Sequence, residues 1–404
     1  MRALQASEIK SLQEKFGDSF YLLDSDQFRT NFRELKEAFQ KIYSNFNIAY
    51  SYKTNYTPKF CKLINEMGGY AEVVSEMELE IARRVGCVPN RIIWNGPIKN
   101  QKIAEEFICE GGTINVDNIE ELDFIKQIVT RHSNRLLSVG IRCNFDVDDG
   151  VVSRFGFDID SEEFKEAVRF TTTTKNVKLI NFQCHFAKRQ IDYWPARAQG
   201  MIEMIDKLGI IPDRIDIGGG LFGKMPDSLK AQFSSEIPNY ESYAKAAATV
   251  FAEYFKHKEV QPELLIEPGS AMVGDCMKFV SSVKNIKKVR GKTMAAVLGS
   301  QKNISMSGVN PPMDVIAMGG EQKEYKNLDF VGFTCIEGDV LYHNYTGKLA
   351  HEDVIVIHNC GSYSLVMKPP FILPNFAVID VCGEEPELIK RAECFDDLFH
   401  TYIF

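Results

Sequence analysis

The sequence predicts an α/β protein, a (β/α)8 barrel followed by a β-rich domain. Two observations carry that expectation. Short β-rich runs recur between residues 47 and 269, each followed by a stretch with helical rhythm. Such alternation implies parallel strands joined by right-handed crossovers, and eight units suit a closed barrel better than an open sheet. After about residue 270 the rhythm changes, and β-like runs follow one another with little helix between them.

Taken in order, the barrel runs are "NIAYSYK" (47–53), "YAEVVS" (70–75), "RIIWNG" (91–96), "TINVD" (113–117), "LSVGIRC" (137–143), "LINFQCHF" (179–186), "RIDIGGG" (214–220) and "ELLIEPG" (263–269). Between them, "EMELEIARRVG", "NIEELDFIKQIV" and "WPARAQGMIEMIDKLG" place apolar residues three and four apart, as a helix laid on a sheet requires. The later runs are "MKFVSSVKNIKKV", "TMAAVLGS", "LDFVGFTC", "DVLYHN", "DVIVIHNC" and "NFAVIDV", with the early "FYLLD" (20–24) expected to join them. The expected division is therefore 25–268 for the barrel, with 1–24 and 269–404 forming the β-domain.

Composition narrows the function. The 404 residues are 45% hydrophobic and 25% charged with a net charge of −8, ordinary for a globular protein of two domains. No basic block marks a nucleic-acid surface. The start, "MRALQASEIKSLQEKFG", is polar and lacks the apolar core of a signal segment, and no run of about 18 apolar residues predicts a membrane span. The ten cysteines are scattered without a CxxC pair, which suits free thiols in a reducing cytoplasm.

Chemistry in such a barrel sits at the C-terminal ends of the strands. Those ends carry Lys53, Ser75, Asn95, Arg142 with Asn144, His185, Gly218, Gly219, Gly220 and Glu267. Any one alone reads as a strand cap, and three glycines alone read as a tight turn. Bare backbone N–H groups in "DIGGGLFG" can also cradle a phosphate. Lysine, phosphate nest, histidine and carboxylate on one rim match the needs of pyridoxal phosphate. The lysine bonds to the cofactor, glycine amides hold its phosphate, histidine packs on its ring, and the carboxylate keeps the ring nitrogen protonated.

The motifs resemble those of the alanine-racemase-fold, pyridoxal-phosphate-dependent decarboxylases that act on diaminopimelate, ornithine and arginine. "YSYKTN" is similar to Y-A-x-K-A-N, "AEVVSEMELEIA" to D-V-x-S-x-x-E-L, and "SRFGF" to S-K-F-G. "CHFAKRQ" resembles H-x-G-S-Q, "DIGGGLFG" D-I-G-G-G-F, "EPGS" E-P-G-R, "CIEGD" C-E-S-G-D, and "CGSYS" G-A-Y. The matches keep their order from about residue 20 to 380. The resemblance implies that Lys53 bonds to the cofactor, that His185 stacks on its ring, that Gly218 to Gly220 bind phosphate, and that Glu267 holds the ring nitrogen. Ser75 and Gly269 fall in the flanking cofactor motifs. It further implies a homodimer with shared active sites, in which Cys335 and Asp339 come from the partner chain and Cys335 returns a proton to the substrate. Tyr363 is implied near the phosphate or the substrate. Cys360 is the cysteine most readily confused with Cys335.

The departures bear on specificity. The family's acidic residue after the cysteine, which reads a distal amine, is Ile336 here, with Glu337 the nearest acidic substitute. An ammonium buried against an aliphatic chain costs several kcal/mol. The arginine of E-P-G-R is Ser270, and the arginine expected to hold a distal carboxylate aligns with Asn310. The expected substrate is thus a small amino acid, L or D, with a neutral or conjugated distal end, free or carrier-linked, rather than diaminopimelate or ornithine. In H-x-G-S the glycine and serine become Ala187 and Lys188, so Lys188 or Arg189 is a candidate to supply phosphate-binding charge. Two other readings stand beside the decarboxylase: a catalytically silent homologue that binds a partner, and an amino-acid racemase on the same barrel.

Overall fold

A computed structural model describes residues 4–306 and 308–403. The strands, in chain order, begin with β1 (Ser19–Leu23), β2 (Phe46–Ser51), β3 (Tyr70–Val73), β4 (Ile92–Trp94), β5 (Thr113–Val116) and β6 (Leu137–Asn144). They continue with β7 (Phe157–Asp158), β8 (Val177–Gln183), β9 (Arg214–Asp216), β10 (Glu263–Ile266), β11 (Met277–Val289) and β12 (Lys292–Val297). The rest are β13 (Met313–Ile316), β14 (Lys323–Val331), β15 (Val340–Leu349), β16 (Val354–Ile357), β17 (Ala377–Asp380) and β18 (Glu387–Lys390).

Every expected barrel run forms a strand. The parallel order β5-β4-β3-β2-β10-β9-β8-β6 closes through β5–β6, and the short β7 pairs only with β6. Most of the strands stop before their runs do. β2 ends at Ser51 and gives way to a 3-10 turn over Tyr52–Thr54. β9 ends at Asp216 because Gly218, at φ +72°, leaves the extended path in a region closed to most side chains. The polar residues named above therefore sit on or just beyond strand ends.

The helices pack as their spacing predicts. Glu76–Arg84 buries Leu79 and Ala82, and Ile119–Arg131 buries Leu122, Ile125, Ile128 and Val129. Each opens on a side-chain cap, Ser75 Oγ accepting from the Glu78 N–H and Asn118 Oδ1 from the Glu121 N–H. Inside the barrel, Ala49, Tyr70, Ile93 and Leu265 form an apolar cluster. At its N-terminal mouth, Tyr70 lies 4.6 Å from each of the guanidinium groups of Arg91 and Arg214 and donates to Glu263 at 2.7 Å.

The second unit is a mixed sheet in the order β15-β14-β12-β11-β1-β17-β18, with β16 pairing β11 and β13. Early strand β1 lies between β11, antiparallel, and β17, parallel. Ile9, Leu12, Phe20, Leu22, Val280, Val354 and Ile379 build its core. By packing, residues 30–222 and 235–272 form the barrel unit, and the rest of the described chain forms the other. Segment 223–234, inside the expected barrel range, belongs to the β-rich unit, where Gln232 bonds to Asn310 and the Lys224 carbonyl to Asn359.

Candidate active site

Alternation along β3 puts Tyr70 and Glu72 on one face, so Glu72 points into the barrel two residues above the tyrosine. There Lys53 Nζ lies 2.8 Å from Glu72 Oε2, and Ser51 Oγ donates to the same oxygen at 2.5 Å. Asn95 donates to Glu72 at 3.0 Å and to Glu267 at 2.5 Å, and Gln183 donates to both oxygens of Glu267 at 3.2 and 3.3 Å. Below them Asn115 donates to Asn95 at 2.7 Å, and Asn181 to Asn115 at 3.1 Å. Barrel interiors are usually layers of branched apolar residues. Here a ladder of amides fills the upper layers and fixes two carboxylates by donation alone.

Three buried carboxylates, Glu72, Asp216 and Glu267, meet in this space. Burial raises Glu72, but the charge and hydrogen bond of Lys53 outweigh it and hold the acid below its ordinary range. Burial, then the negative charges of Asp216 and Glu72, push Glu267 well above its own. Burial likewise lifts Asp216 to about 7, against the lowering effect of the Gly218 N–H and of a hydrogen bond with Glu267. Arg142 pairs with Asp117 at 3.4 Å. The cluster thus carries more carboxylate than its cations balance, and Glu267 keeps a proton unless a positive group comes to it.

Beyond β8, His185 Nδ1 accepts the Gly219 N–H at 3.1 Å, and Gly218 donates to Asp216 Oδ1 at 2.9 Å. Burial, then the charges of Lys53, Arg197 and Arg142, drive His185 well below the usual histidine range, so the ring is neutral. Gly269 backs onto the lysine turn, where a Cβ would strike Thr54. Ser75 caps its helix. Asn144 pins the "SRFGF" loop through the carbonyls of Ser153 and Phe155 at 2.8 Å. The Arg189 guanidinium sits 5.7 Å from the Phe222 ring. Glu72, Gln183, Asn115, Asn181, Asp216 and Arg197 were missed by the sequence reading. The period-two alternation in "YAEVVS" and "LINFQCHF" would have found the strand members.

In the β-rich unit, Asp339 is buried and accepts from Ser300 Oγ at 2.9 Å, Gln301 N–H at 2.7 Å and Thr334 Oγ1 at 2.6 Å. It clamps the base of a loop whose tip, Cys335, Ile336, Glu337 and Gly338, is exposed. Ile336 also lines a cleft with Phe333, Met367 and Phe371. Cys360 is fully buried, and burial pushes its thiol far above the usual range, which separates it from Cys335. Tyr363 takes φ +62°, a strained setting for a side-chain residue. Asn310 is held by the His343 backbone at 2.9 and 3.0 Å. Among the described residues no histidine, cysteine and acid cluster offers a metal site, and no helix is long and apolar enough to cross a membrane.

Residues 26–274 match the family model described as "Pyridoxal-dependent decarboxylase, pyridoxal binding domain". A diaminopimelate decarboxylase of Aquifex aeolicus is 24% identical over 97% of this chain and 93% of its own. One from Archaeoglobus fulgidus is 27% identical over 90% and 88%. The crystal structure of the M. jannaschii diaminopimelate decarboxylase in complex with L-lysine superposes with a TM-score of 0.85 at 22% identity, covering 98% of this chain and 94% of that one. The residues present fit pyridoxal phosphate. Lys53 stands among carboxylates at a strand end, Glu267 is a buried acid that a protonated ring nitrogen would let ionise, and neutral His185 lies against the glycine loop.

Proposed function

The chain belongs to the pyridoxal-dependent decarboxylases, and from that premise we propose that it decarboxylates an amino acid whose distal end is neutral or conjugated. The observation that carries this reading is Ile336, exposed on the loop tip directly after Cys335 and beside a cleft lined by Phe333, Met367 and Phe371 and by Lys302 and Lys368, with no acidic residue among its described lining residues to pair an ammonium. The enzyme is proposed to work as a cytoplasmic homodimer with shared active sites, each completed by the partner subunit's Cys335.

Bound pyridoxal phosphate supplies an electron sink for the pair left when CO2 departs. The chain's own residues do the rest. Lys53 would hold the cofactor covalently, and Glu72, 2.8 Å from its Nζ, would orient that amine. Glu267, fixed by Asn95 and Gln183, retains the proton at the ring nitrogen. His185 would pack on the ring and Gly220 would offer its N–H to the phosphate. Cys335 Sγ delivers a proton to the former α-carbon. Asp339 holds the loop that presents the thiol.

The test is kcat/KM for meso-diaminopimelate, ornithine, lysine and α-amino acids with uncharged distal ends, in wild type and Ile336→Glu. An ammonium left against Ile336 costs about 2 to 3 kcal/mol, roughly a hundredfold. Ile336→Glu should recover part of that for diamino substrates. The curated relatives carry the name diaminopimelate decarboxylase, and fast wild-type turnover of that substrate would overturn the proposal. Mixing inactive Lys53→Ala with inactive Cys335→Ala chains should restore part of the activity. No recovery after verified exchange would rule out sites shared between subunits.

A further inference from the structure

Arg197, on the helix Tyr193–Leu208, is fully buried, yet among the described residues it makes no ion pair within 4 Å, and the carboxylates that act on it, Asp149 and Glu267, do so without contact. Its partners are backbone carbonyls from two loops of the site. Nη1 donates to Gly219 at 2.7 Å and to Ile217 at 3.2 Å, and Nη2 donates to Phe186 and Lys188 at 3.4 Å. Its Nε has no hydrogen-bond partner, and the guanidinium rests 4.4 Å from the Trp194 ring. A guanidinium taken out of water with no counter-charge in contact is costly, so a fold that keeps one has an anion in reach when the site is loaded.

Peptide geometry says where that anion sits. In a planar trans peptide the carbonyl and the following N–H point in opposite directions. By gripping the carbonyls of Gly219 and Lys188, Arg197 aims the N–H groups of Gly220 and Arg189 away from itself. Gly218 and Gly219 have already given their N–H groups to Asp216 and His185. Gly220 takes φ +92°, and a Cβ there would lie 3.6 Å from the Lys188 carbonyl and 3.9 Å from Arg197 Nη2. Against the family motif, Ser270 stands where an arginine would bring a cation to the phosphate.

We propose that Arg197 is the positioning residue for the cofactor phosphate: from beneath the glycine loop it orients the binding N–H groups and supplies the positive charge that Ser270 does not. This rests on the assignment of the glycine loop to the phosphate. Apoprotein of wild type, Arg197→Gln and Arg197→Lys would be titrated with pyridoxal phosphate and with pyridoxal, which lacks the phosphate, following absorbance and protein fluorescence. Arg197→Gln should weaken pyridoxal phosphate by roughly tenfold or more while pyridoxal changes by less than about threefold. Arg197→Lys, which keeps the charge without the fork, should fall between. Equal loss of both ligands, or loss of neither, would overturn the inference. If wild type itself shows no preference for the phosphorylated ligand, the glycine-loop assignment fails instead. Where neither variant folds, the phosphorus resonance of wild-type holoenzyme decides. A dianion held by Arg197 stays unmoved from pH 8 to 5.5, whereas titration near the free-phosphate value of about 6 refutes it.

Discussion

At the N-terminal mouth of the barrel, Tyr70 lies between Arg91 and Arg214 and donates to Glu263, which is 3.4 Å from Arg214. At the C-terminal mouth, Glu72, Asp216 and Glu267 are buried around Lys53. Both ends bring charged groups onto strand termini. The lower set is mixed in sign and partly open to water, with Arg214 at 13% and Glu263 at 22% side-chain exposure. The upper set has too many acids, all three of them buried although Lys53 itself is 39% exposed, and it meets its excess by holding protons. A closed set reads as fold stability and an unbalanced one as a place prepared for a positive ligand.

The sharpest way to break that comparison is to remove one group from each end. Lys53→Ala should abolish the visible band of the lysine-bound cofactor and lower kcat on the order of 10⁴-fold or more. Glu267→Gln should cost about 10²- to 10³-fold by weakening the electron sink, with the fold intact. Glu263→Gln, at the opposite mouth, should leave kcat within about twofold and lower Tm instead. If Glu263→Gln slows the reaction as much as Glu267→Gln, the two ends do not divide the work.

The two cysteines of the β-rich unit extend the contrast. Cys335→Ala should reduce kcat by about 10²- to 10⁴-fold, the range for a lost proton donor, with little change in unfolding. Cys360→Ala opens a small cavity in the core and should cost about 1 to 2 kcal/mol of stability with turnover retained. Activity and denaturant midpoints on the two variants decide this, and the reverse pattern would move the proton donor to Cys360.

How far the sequence could be read follows from the range of each signal. Strand positions were legible because period-two and period-3.6 patterns are local, and the eight runs became eight barrel strands. Lys53, His185, Glu267 and the glycines were legible because strand ends in a barrel fall at one mouth. Asp339 accepts from Ser300, Gln301 and Thr334, and Asn310 is held by the His343 backbone, partners that lie 5 to 39 residues away in the chain and that no local pattern announces. Spacing cannot distinguish a carboxylate offered to a ligand from one used to clamp its own loop. Arg197 was invisible for a related reason. In "WPARAQGMIEMIDKLG" it reads as a solvated helix charge, and only the folded chain brings its guanidinium to carbonyls 9 to 22 residues away.

The smallest effect tests the charge imbalance directly in the cofactor-free protein. Unfolded Asp216 and Glu267 lose their protons near pH 4, but the folded chain holds them longer, Asp216 to about 7. Between those values the folded state binds more protons than the unfolded one, so stability falls as pH rises through the window. Glu72, held low, works the other way and loses its contribution only under stronger acid. Neutral His185 also opposes the trend, since below about 6.5 the unfolded chain takes up the proton that the folded chain refuses. Comparing wild type with Glu267→Gln cancels that term, because both keep His185, and a neutral amide beside Asp216 removes the shared proton. From pH 5.5 to 8 the apo wild type should lose roughly 1 °C of Tm more than Glu267→Gln for each kcal/mol involved. Reconstitution with pyridoxal phosphate should flatten the wild-type profile, because the protonated ring nitrogen lets Glu267 ionise. Parallel melting curves for apo wild type, holo wild type and Glu267→Gln would mean that the upper mouth is as well balanced as the lower one.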